Sequence, residues 1–136
     1  MTREEQLRVA IADALDLALD GVQVSPWPLS NPTPPAIDVV RDSTEYDQTM
    51  AGPGQHHDWN FIVRVYVAFN ADIGAQRRLA EVCEQVKPAI EADRSLGGVA
   101  QSVHVRSQSG DKIYQHERNP NLAYLGREFS VFVMAP

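Results

Sequence analysis

A long alternation of large apolar residues with smaller or polar residues constrains the fold of this chain more than any other feature. From Trp59 to Phe69, every second residue is a large apolar one, and this period places all of them on one face of a β-strand. The opposite face includes Arg64 and Tyr66, a mixture that suits partial exposure or contact with another subunit. Because a strand of this length needs hydrogen-bonding neighbours on both edges, the pattern predicts the central strand of a sheet.

The length and charge of the chain narrow the classes of protein that it can represent. Its 136 residues fit a single domain, 1–136, with a core of its own. With 12 Lys and Arg against 18 Asp and Glu, the formal net charge is -6. This charge argues against a protein that binds nucleic acid by neutralising phosphates. An acidic surface favours solubility, and it also suits a conduit through which DNA slides.

Cysteine content and hydropathy bear on the compartment. Cys83 is the single cysteine, which excludes an intramolecular disulfide and fits a reducing cytoplasm. The N-terminal residues lack the apolar core of a signal peptide, and no apolar run reaches the roughly 20 residues of a membrane span. We therefore expect a protein that is neither exported nor inserted into a membrane.

Two segments have the periodicity of amphipathic helices. Thr2 and Glu5 have the spacing of a capping box, which predicts a helix start, and Gly21 offers the left-handed conformation that ends a helix. In the second segment Cys83 should point inward, and Pro88 either kinks the helix or begins another short one. The predicted buried stripes are Leu7, Ala10, Ile11, Ala14, Leu15 and Ala18 in the first helix and Leu79, Val82, Cys83 and Val86 in the second.

The apolar residues of the central strand are expected to pack against both of these helices. Val9 and Leu17 lie outside the stripe of the first helix. They are either ordinary isolated apolar surface residues or part of a subunit contact. The strand residues expected in the core are Phe61, Val63, Val65 and Val67.

Further strands are predicted at 22–24, 36–40, 99–106 and 125–134, the second of these being the hairpin partner of the central strand. The segment 25–35 contains five prolines, which favours a stiff crossover between two strands. A polyproline ligand at Pro32–Pro35 is the alternative interpretation.

Two long polar segments, at about 42–58 and 108–121, are predicted to be loops. The first of them should be mobile in the isolated protein and become ordered on meeting a partner. The predicted fold class is therefore α+β, with a mixed, mostly antiparallel sheet of four to five strands and two main helices packed on one face.

No catalytic, cofactor-binding or metal-binding residue is predicted. His56 and His57 point in opposite directions in an extended chain, so a shared metal ion is a poor interpretation of this pair. His104 and His116 are expected to be hydrogen-bonded or exposed rather than catalytic, because nothing in the sequence singles out a hydroxyl nucleophile for a triad. No phosphate-binding or nucleophile-elbow motif occurs. The sequence therefore does not predict an enzyme.

The order of the elements resembles that of the tail terminator (tail completion) proteins of long-tailed bacteriophages. The resemblance covers nearly the whole chain and lies in element order and turns. Its closest points are Pro35–Val40, Ala92–Val99 and the closing strand from Tyr124 to Val133. It implies a small α+β protein, without enzymatic activity or cofactor, that forms a homo-oligomeric ring, a hexamer in this family.

The resemblance also implies partners and a place of action. Such a ring caps the tail tube protein, ends tube polymerisation and offers a docking surface to the head–tail connector or stopper protein, while DNA passes through without specific binding. The protein would be made and assembled in the host bacterial cytoplasm and reside in the virion, in the tail or neck region. The alternatives are another neck or head-closure connector protein and a small cytoplasmic binding module. Candidate ring or tail contacts are Arg64, Tyr66, Tyr46, Met50, His56, Lys112, Tyr114 and Arg118.

Overall fold

A computed structural model of the chain describes residues 1–46, 57–69, 73–115 and 122–136. The fold is α+β, as predicted, and the described residues form a mixed, mostly antiparallel sheet of six strands and two helices. No helix within these residues is long and apolar enough to cross a membrane. In chain order the elements are α1 (Arg3–Ala18), β1 (Gln23–Ser25), β2 (Ala36–Tyr46), β3 (His57–Ala68), α2 (Ile73–Glu91), β4 (Ser102–Gln108), β5 (Lys112–Gln115) and β6 (Ala123–Ala135).

The strand predicted to be central is central. β3 pairs antiparallel with β2 on one edge and with β6 on the other, and its pairing with β6 extends from His57 to Ala68. β1 lies outside β2 and pairs with it in parallel, so the proline-rich segment between them is a crossover, as predicted. Every long strand pair in the sheet therefore includes β3 or its neighbour β6.

The strand count differs from the prediction because the segment 108–121 contains β5. Both β4 and β5 pair antiparallel with β6, whose other edge is occupied by β3, so they lie in series along one edge of β6. Ser109 continues this edge by donating its amide to the Glu128 carbonyl at 2.8 Å. β5 is too short and polar to have a visible period, and its backbone pairing with β6 stabilises it instead.

The loop predicted at 42–58 is also shorter than expected. β2 continues to Tyr46 and β3 begins at His57, with Ser43 opposite Asn60. The register shifts between Arg41 and Ser43, which is a β-bulge that admits one extra residue. The residues from Ser43 to Tyr46 extend the hairpin by pairing their backbone with β3. They do not alternate apolar with polar residues, so the sequence did not predict this part of the strand. Residues 47–56, which include the rest of the predicted mobile loop, lie outside the described residues.

α1 begins at the predicted cap, where Thr2 Oγ1 accepts a hydrogen bond from the Glu5 amide at 3.1 Å. Its buried face is rotated from the predicted stripe, because Ala12 is buried while Ala18 is exposed. The predicted turn follows, with Gly21 at φ +72°.

Arg8 is a buried cation on α1 that the sequence analysis missed. Its Nη1 donates to the Val39 carbonyl at 2.7 Å and to the Pro26 carbonyl at 3.2 Å, and its guanidinium lies 4.4 Å from the centre of the Trp27 ring. Its Nε donates to the Glu4 carboxylate at 3.2 Å. Arg8 therefore joins α1 to the crossover and to β2.

α2 is one continuous helix with Pro88 in its last turn, so no second short helix begins there. Proline removes only one amide, close to the helix end. Cys83 faces inward, as predicted, and burial raises the pKa of its thiol to about 11. After the helix, the Asp93 carboxylate accepts the amides of Ser95 and Gly97 at 3.0 and 2.9 Å and so fixes a tight turn.

The main core lies between the helices and one face of the sheet, as predicted. Val82 is partly buried and packs against it. The predicted residues that lie in this core are Leu7, Ile11, Leu15, Phe61, Val63, Val65, Val67, Leu79, Cys83 and Val86.

Candidate functional site

The candidate site is the sheet face opposite the two helices, called here the open face. Because side chains alternate along β3, burying Val63 and Val65 beneath the helices turns Arg64 and Tyr66 to the other side. The register brings Asp38 of β2 opposite Arg64, and Glu128 of β6 opposite Arg64 on the other edge. Three neighbouring strands therefore contribute charged side chains to one region of this face.

Asp38 and Arg64 form the central ion pair of the open face. Arg64 donates from Nε and Nη2 to the two carboxylate oxygens of Asp38 at 2.8 and 2.7 Å. The Leu29 amide donates to the same carboxylate at 2.9 Å, and the Tyr66 hydroxyl lies 3.4 Å from it. The carboxylate is fully buried, whereas 23% of the Arg64 side chain is exposed. The pair therefore anchors the proline-rich crossover to the sheet and leaves part of the guanidinium accessible.

Three tyrosines form a second, smaller core beside this ion pair. The Tyr66 ring makes edge-on contacts with Tyr114 and Tyr124, with ring centres 5.0 and 6.2 Å apart. Ala36 belongs to the same cluster, and Leu29 of the crossover packs against it. β5 supplies Tyr114, so the short strand missed from the sequence completes the cluster.

Glu128 links the tyrosines to a lysine. Its carboxylate accepts the Tyr114 hydroxyl at 2.5 Å and lies 3.2 Å from Lys112 Nζ. The hydrogen bond from Tyr114 holds the pKa of Glu128 below its usual range against the effect of burial, and the hydrogen bond from Lys112 acts in the same direction. Glu128 is therefore an anion at neutral pH.

The hydroxyls of Tyr66 and Tyr114 stay protonated at neutral pH. Burial raises the pKa of Tyr66, and the nearby Asp38 carboxylate raises it further. Burial and the hydrogen bond to Glu128 likewise raise the pKa of Tyr114. Burial alone would lower the pKa of Arg64, but the hydrogen bonds and charge of Asp38 raise it overall. The cluster thus presents fixed hydrogen-bonding groups and charges suited to recognition.

The open face continues with an aromatic patch on β6 and β4. His104 stacks on Phe132 with ring centres 5.5 Å apart, and the Arg106 guanidinium lies 4.0 Å from the centre of the same ring. His104 and Met134 are half-buried, while Arg106 is exposed. Aromatic rings and arginine are the residue types that protein interfaces favour.

Four of the predicted contact residues come together on or beside the open face: Arg64, Tyr66, Lys112 and Tyr114. Tyr46 is the last residue of β2 and pairs with His57, but the structure describes only its backbone. Met50, His56 and Arg118 lie outside the described residues. Asp38 and Glu128, which organise the cluster, were missed. Asp38 left a signal in the sequence, because an acidic residue inside the apolar run of β2 must be paired when it is buried.

A second concave region, the α1 groove, lies along the outer side of α1 and has a volume of about 670 Å³. Leu17 lines it and is 89% exposed. The opposite wall comes from the end of α2 and the turn that follows it. The described lining residues are Met1, Gln6, Val9, Ala10, Asp13, Ala14, Leu17, Ala18, Ala89, Ala92, Asp93, Leu96, Gly97 and Val99.

Within the part of the chain that the structure describes, no group of three or more His, Cys, Asp or Glu side chains is placed to hold a metal ion. Comparison of the chain with protein-family models found no matching family, and comparison with curated protein sequences found no match.

Proposed function

We propose that this chain is a structural virion protein that caps a bacteriophage tail tube as a homo-oligomeric ring, with six copies as the expected number. The ring ends tube polymerisation and offers a docking surface to the head–tail connector or stopper. The observation that carries the proposal is the open face, where Arg64, Lys112 and Arg106 are partly or fully accessible around largely buried aromatic rings, while α1 and α2 pack on the opposite side of the sheet. The resemblance in element order over nearly the whole chain supports the same conclusion.

The chemistry of the open face fits a contact between copies. Arg64 is partly exposed, Lys112 is 48% exposed, and Arg106 covers an aromatic ring. Such groups supply directional hydrogen bonds and cation–π contacts, and the half-buried Tyr114 adds aromatic surface. A ring is a head-to-tail assembly, so this face would meet a different surface of the neighbouring copy.

Native mass spectrometry together with negative-stain electron microscopy tests the proposal. We expect a closed ring that is weakened by Arg106→Glu on the open face. Arg77→Glu, an exposed residue of α2, makes the same change of charge on the helix side and serves as the control. A protein that remains monomeric at all concentrations would overturn the proposal, and so would equal effects of the two variants.

The same observations leave one candidate of another class. A small cytoplasmic binding module would be a monomer with an apolar pocket, and the α1 groove supplies such a concave apolar surface. Within virions, the alternative is another neck or head-closure protein. Native mass spectrometry distinguishes a monomeric binding module from a ring-forming protein. Binding of the purified ring to tail tubes, rather than to connectors alone, separates a terminator from a head-closure component.

A further inference from the structure

α1 carries two apolar stripes, and only one of them faces the sheet. Leu7, Ile11 and Leu15 are fully buried in the core. The second stripe lines the α1 groove with Val9, Ala10, Ala14, Leu17 and Ala18, together with the polar Gln6 and Asp13. From Gln6 to Ala18 the lining covers about three helical turns, or roughly 18 Å. The groove thus has the length over which a short helix packs against another.

The shape of the groove suits a helix more than an irregular segment. Ala10, Ala14 and Ala18 line one wall, and Ala89 and Ala92 line the other. Small side chains allow a helix to approach closely, and the exposed Leu17 projects beside them. A groove that binds a helix is typically lined by apolar residues, which contact the apolar face of that helix.

The charges of the groove specify the partner further. Of its described lining residues, the only charged side chains are Asp13 and Asp93, one on each wall. Hydrogen bonds from Ser95 and Gly97 hold the pKa of Asp93 below its usual range, so it is an anion at neutral pH. Arg94 lies next to Asp93 in the chain, but its guanidinium contacts Glu91 at 3.3 Å.

A second copy of this chain is a poor occupant of the groove in a two-fold contact. In a two-fold contact each groove would face the other, which would bring Asp13 and Asp93 against the same acidic residues. The exposed large apolar residues of the described chain that do not line the groove are Trp27, Ile113 and Leu122. They lie on the crossover and around β5 and β6, and they form no helical stripe that could fill the groove.

We propose that the α1 groove binds an amphipathic helix of a different protein, with the apolar face of that helix in the groove and flanking Lys or Arg side chains beside Asp13 and Asp93. This inference does not depend on the ring, because the groove lies on the helix side of the sheet. Native mass spectrometry tests the ring, whereas peptide binding tests the groove. Either proposal can therefore fail without the other.

The test uses a synthetic amphipathic peptide of about 18 residues with a leucine face and lysine flanks. Two matched peptides replace the lysines by glutamate or glutamine, and a third scrambles the lysine peptide to remove its amphipathic face. Binding to the isotopically labelled full chain is followed by NMR chemical shifts. We expect the lysine peptide to bind best and to shift the amides of Val9, Leu17 and Val99.

Charge-reversal variants locate the interaction. Asp13→Lys should weaken binding of the lysine peptide roughly threefold to tenfold, as expected for reversing one exposed ion pair, and should improve binding of the glutamate peptide. Asp16→Lys makes the same change of charge on an exposed residue of α1 that does not line the groove, and it should have a smaller effect.

Several outcomes would overturn the inference. These are equal binding of the lysine and glutamate peptides, equal effects of the two variants, binding of the scrambled peptide as strong as that of its parent, and no shift in the groove at millimolar peptide. A concentration-dependent dimer that is dispersed by Leu17→Ala would also overturn it, by making a second copy the occupant.

Discussion

At the scale of single residues, Gly126 shows how one missing side chain allows the tyrosine cluster to form. A Cβ at this position would lie 2.6 Å from the Val65 carbonyl oxygen and 2.7 Å from Cε2 of Tyr114. Both distances are too short for real contacts, and one of the atoms belongs to the backbone of the central strand. Glycine at position 126 therefore lets the Tyr114 ring pack close against β6 beside Tyr66.

We expect Gly126→Ala to destabilise the protein by about 1–3 kcal/mol, the usual range for overpacking. Urea unfolding measures the change. Gly110→Ala is the control, because a Cβ there would meet no atom within 4 Å, and it should leave stability within about 0.5 kcal/mol. Similar stabilities of the two variants would show that Tyr114 moves aside without cost.

The Asp38–Arg64 pair is the second feature at this scale. Removing Arg64 leaves a fully buried carboxylate without its main partner. Breaking a buried pair typically costs about 3–5 kcal/mol. Because Arg64 is partly exposed, we expect Arg64→Ala to lower the free energy of unfolding by about 2–3 kcal/mol.

A double-mutant cycle of Asp38→Ala and Arg64→Ala should yield a coupling energy above about 1 kcal/mol. The Arg127–Asp111 pair, at 2.7 Å and more exposed at its carboxylate, should couple by less than about 1 kcal/mol. Coupling of equal size in both cycles would contradict the anchoring role that we assign to Asp38.

At the scale of secondary-structure elements, Glu91 joins the end of α2 to β4. Its carboxylate accepts one hydrogen bond from Lys87 and another from the Val105 amide, the latter at 3.1 Å. The Arg94 guanidinium lies 3.3 Å from the same carboxylate. The hydrogen bond from Lys87 and that from Val105 hold the pKa of Glu91 below its usual range. Folding therefore favours the charged carboxylate.

A lowered pKa in the folded state gives stability that is present above the unfolded pKa of about 4.3 and is lost as the pH falls through the folded value. We expect Glu91→Gln to be less stable than the parent at about pH 7, and the difference to shrink steadily below about pH 4.3. Urea unfolding over this range measures it. Glu84→Gln, an exposed residue of the same helix, should show no such trend, and a constant difference for Glu91→Gln would refute the assignment.

At the scale of the whole molecule, the formal charge of -6 bears on the proposed ring. Binding to DNA grows with each phosphate that a Lys or Arg neutralises. An acidic ring should therefore let duplex DNA pass without retaining it. We expect no measurable affinity for duplex DNA at moderate salt in a gel-shift or anisotropy assay. Salt-dependent binding would contradict a passive channel.

The sequence by itself determined the features that depend on local period. The alternation from Trp59 to Phe69 specified which face of β3 enters the core, and the helical stripes placed Leu7, Ile11 and Cys83 inside. In each case the spacing of side chains along one element decides the face, so no knowledge of the neighbouring element was needed. The α+β class followed from the order of these elements.

Only the tertiary structure decided the features that require two segments to meet. β5 and the polar end of β2 form because β6 and β3 supply their backbone hydrogen-bonding partners. A polar strand has no alternation of apolar and polar residues, so the sequence pattern does not predict it. The pairing of Asp38 with Arg64 required the register of β2 against β3, and the tyrosine cluster required β5 beside Gly126. Long-range backbone pairing fixes these contacts, and a single sequence without its neighbours in space does not contain that register.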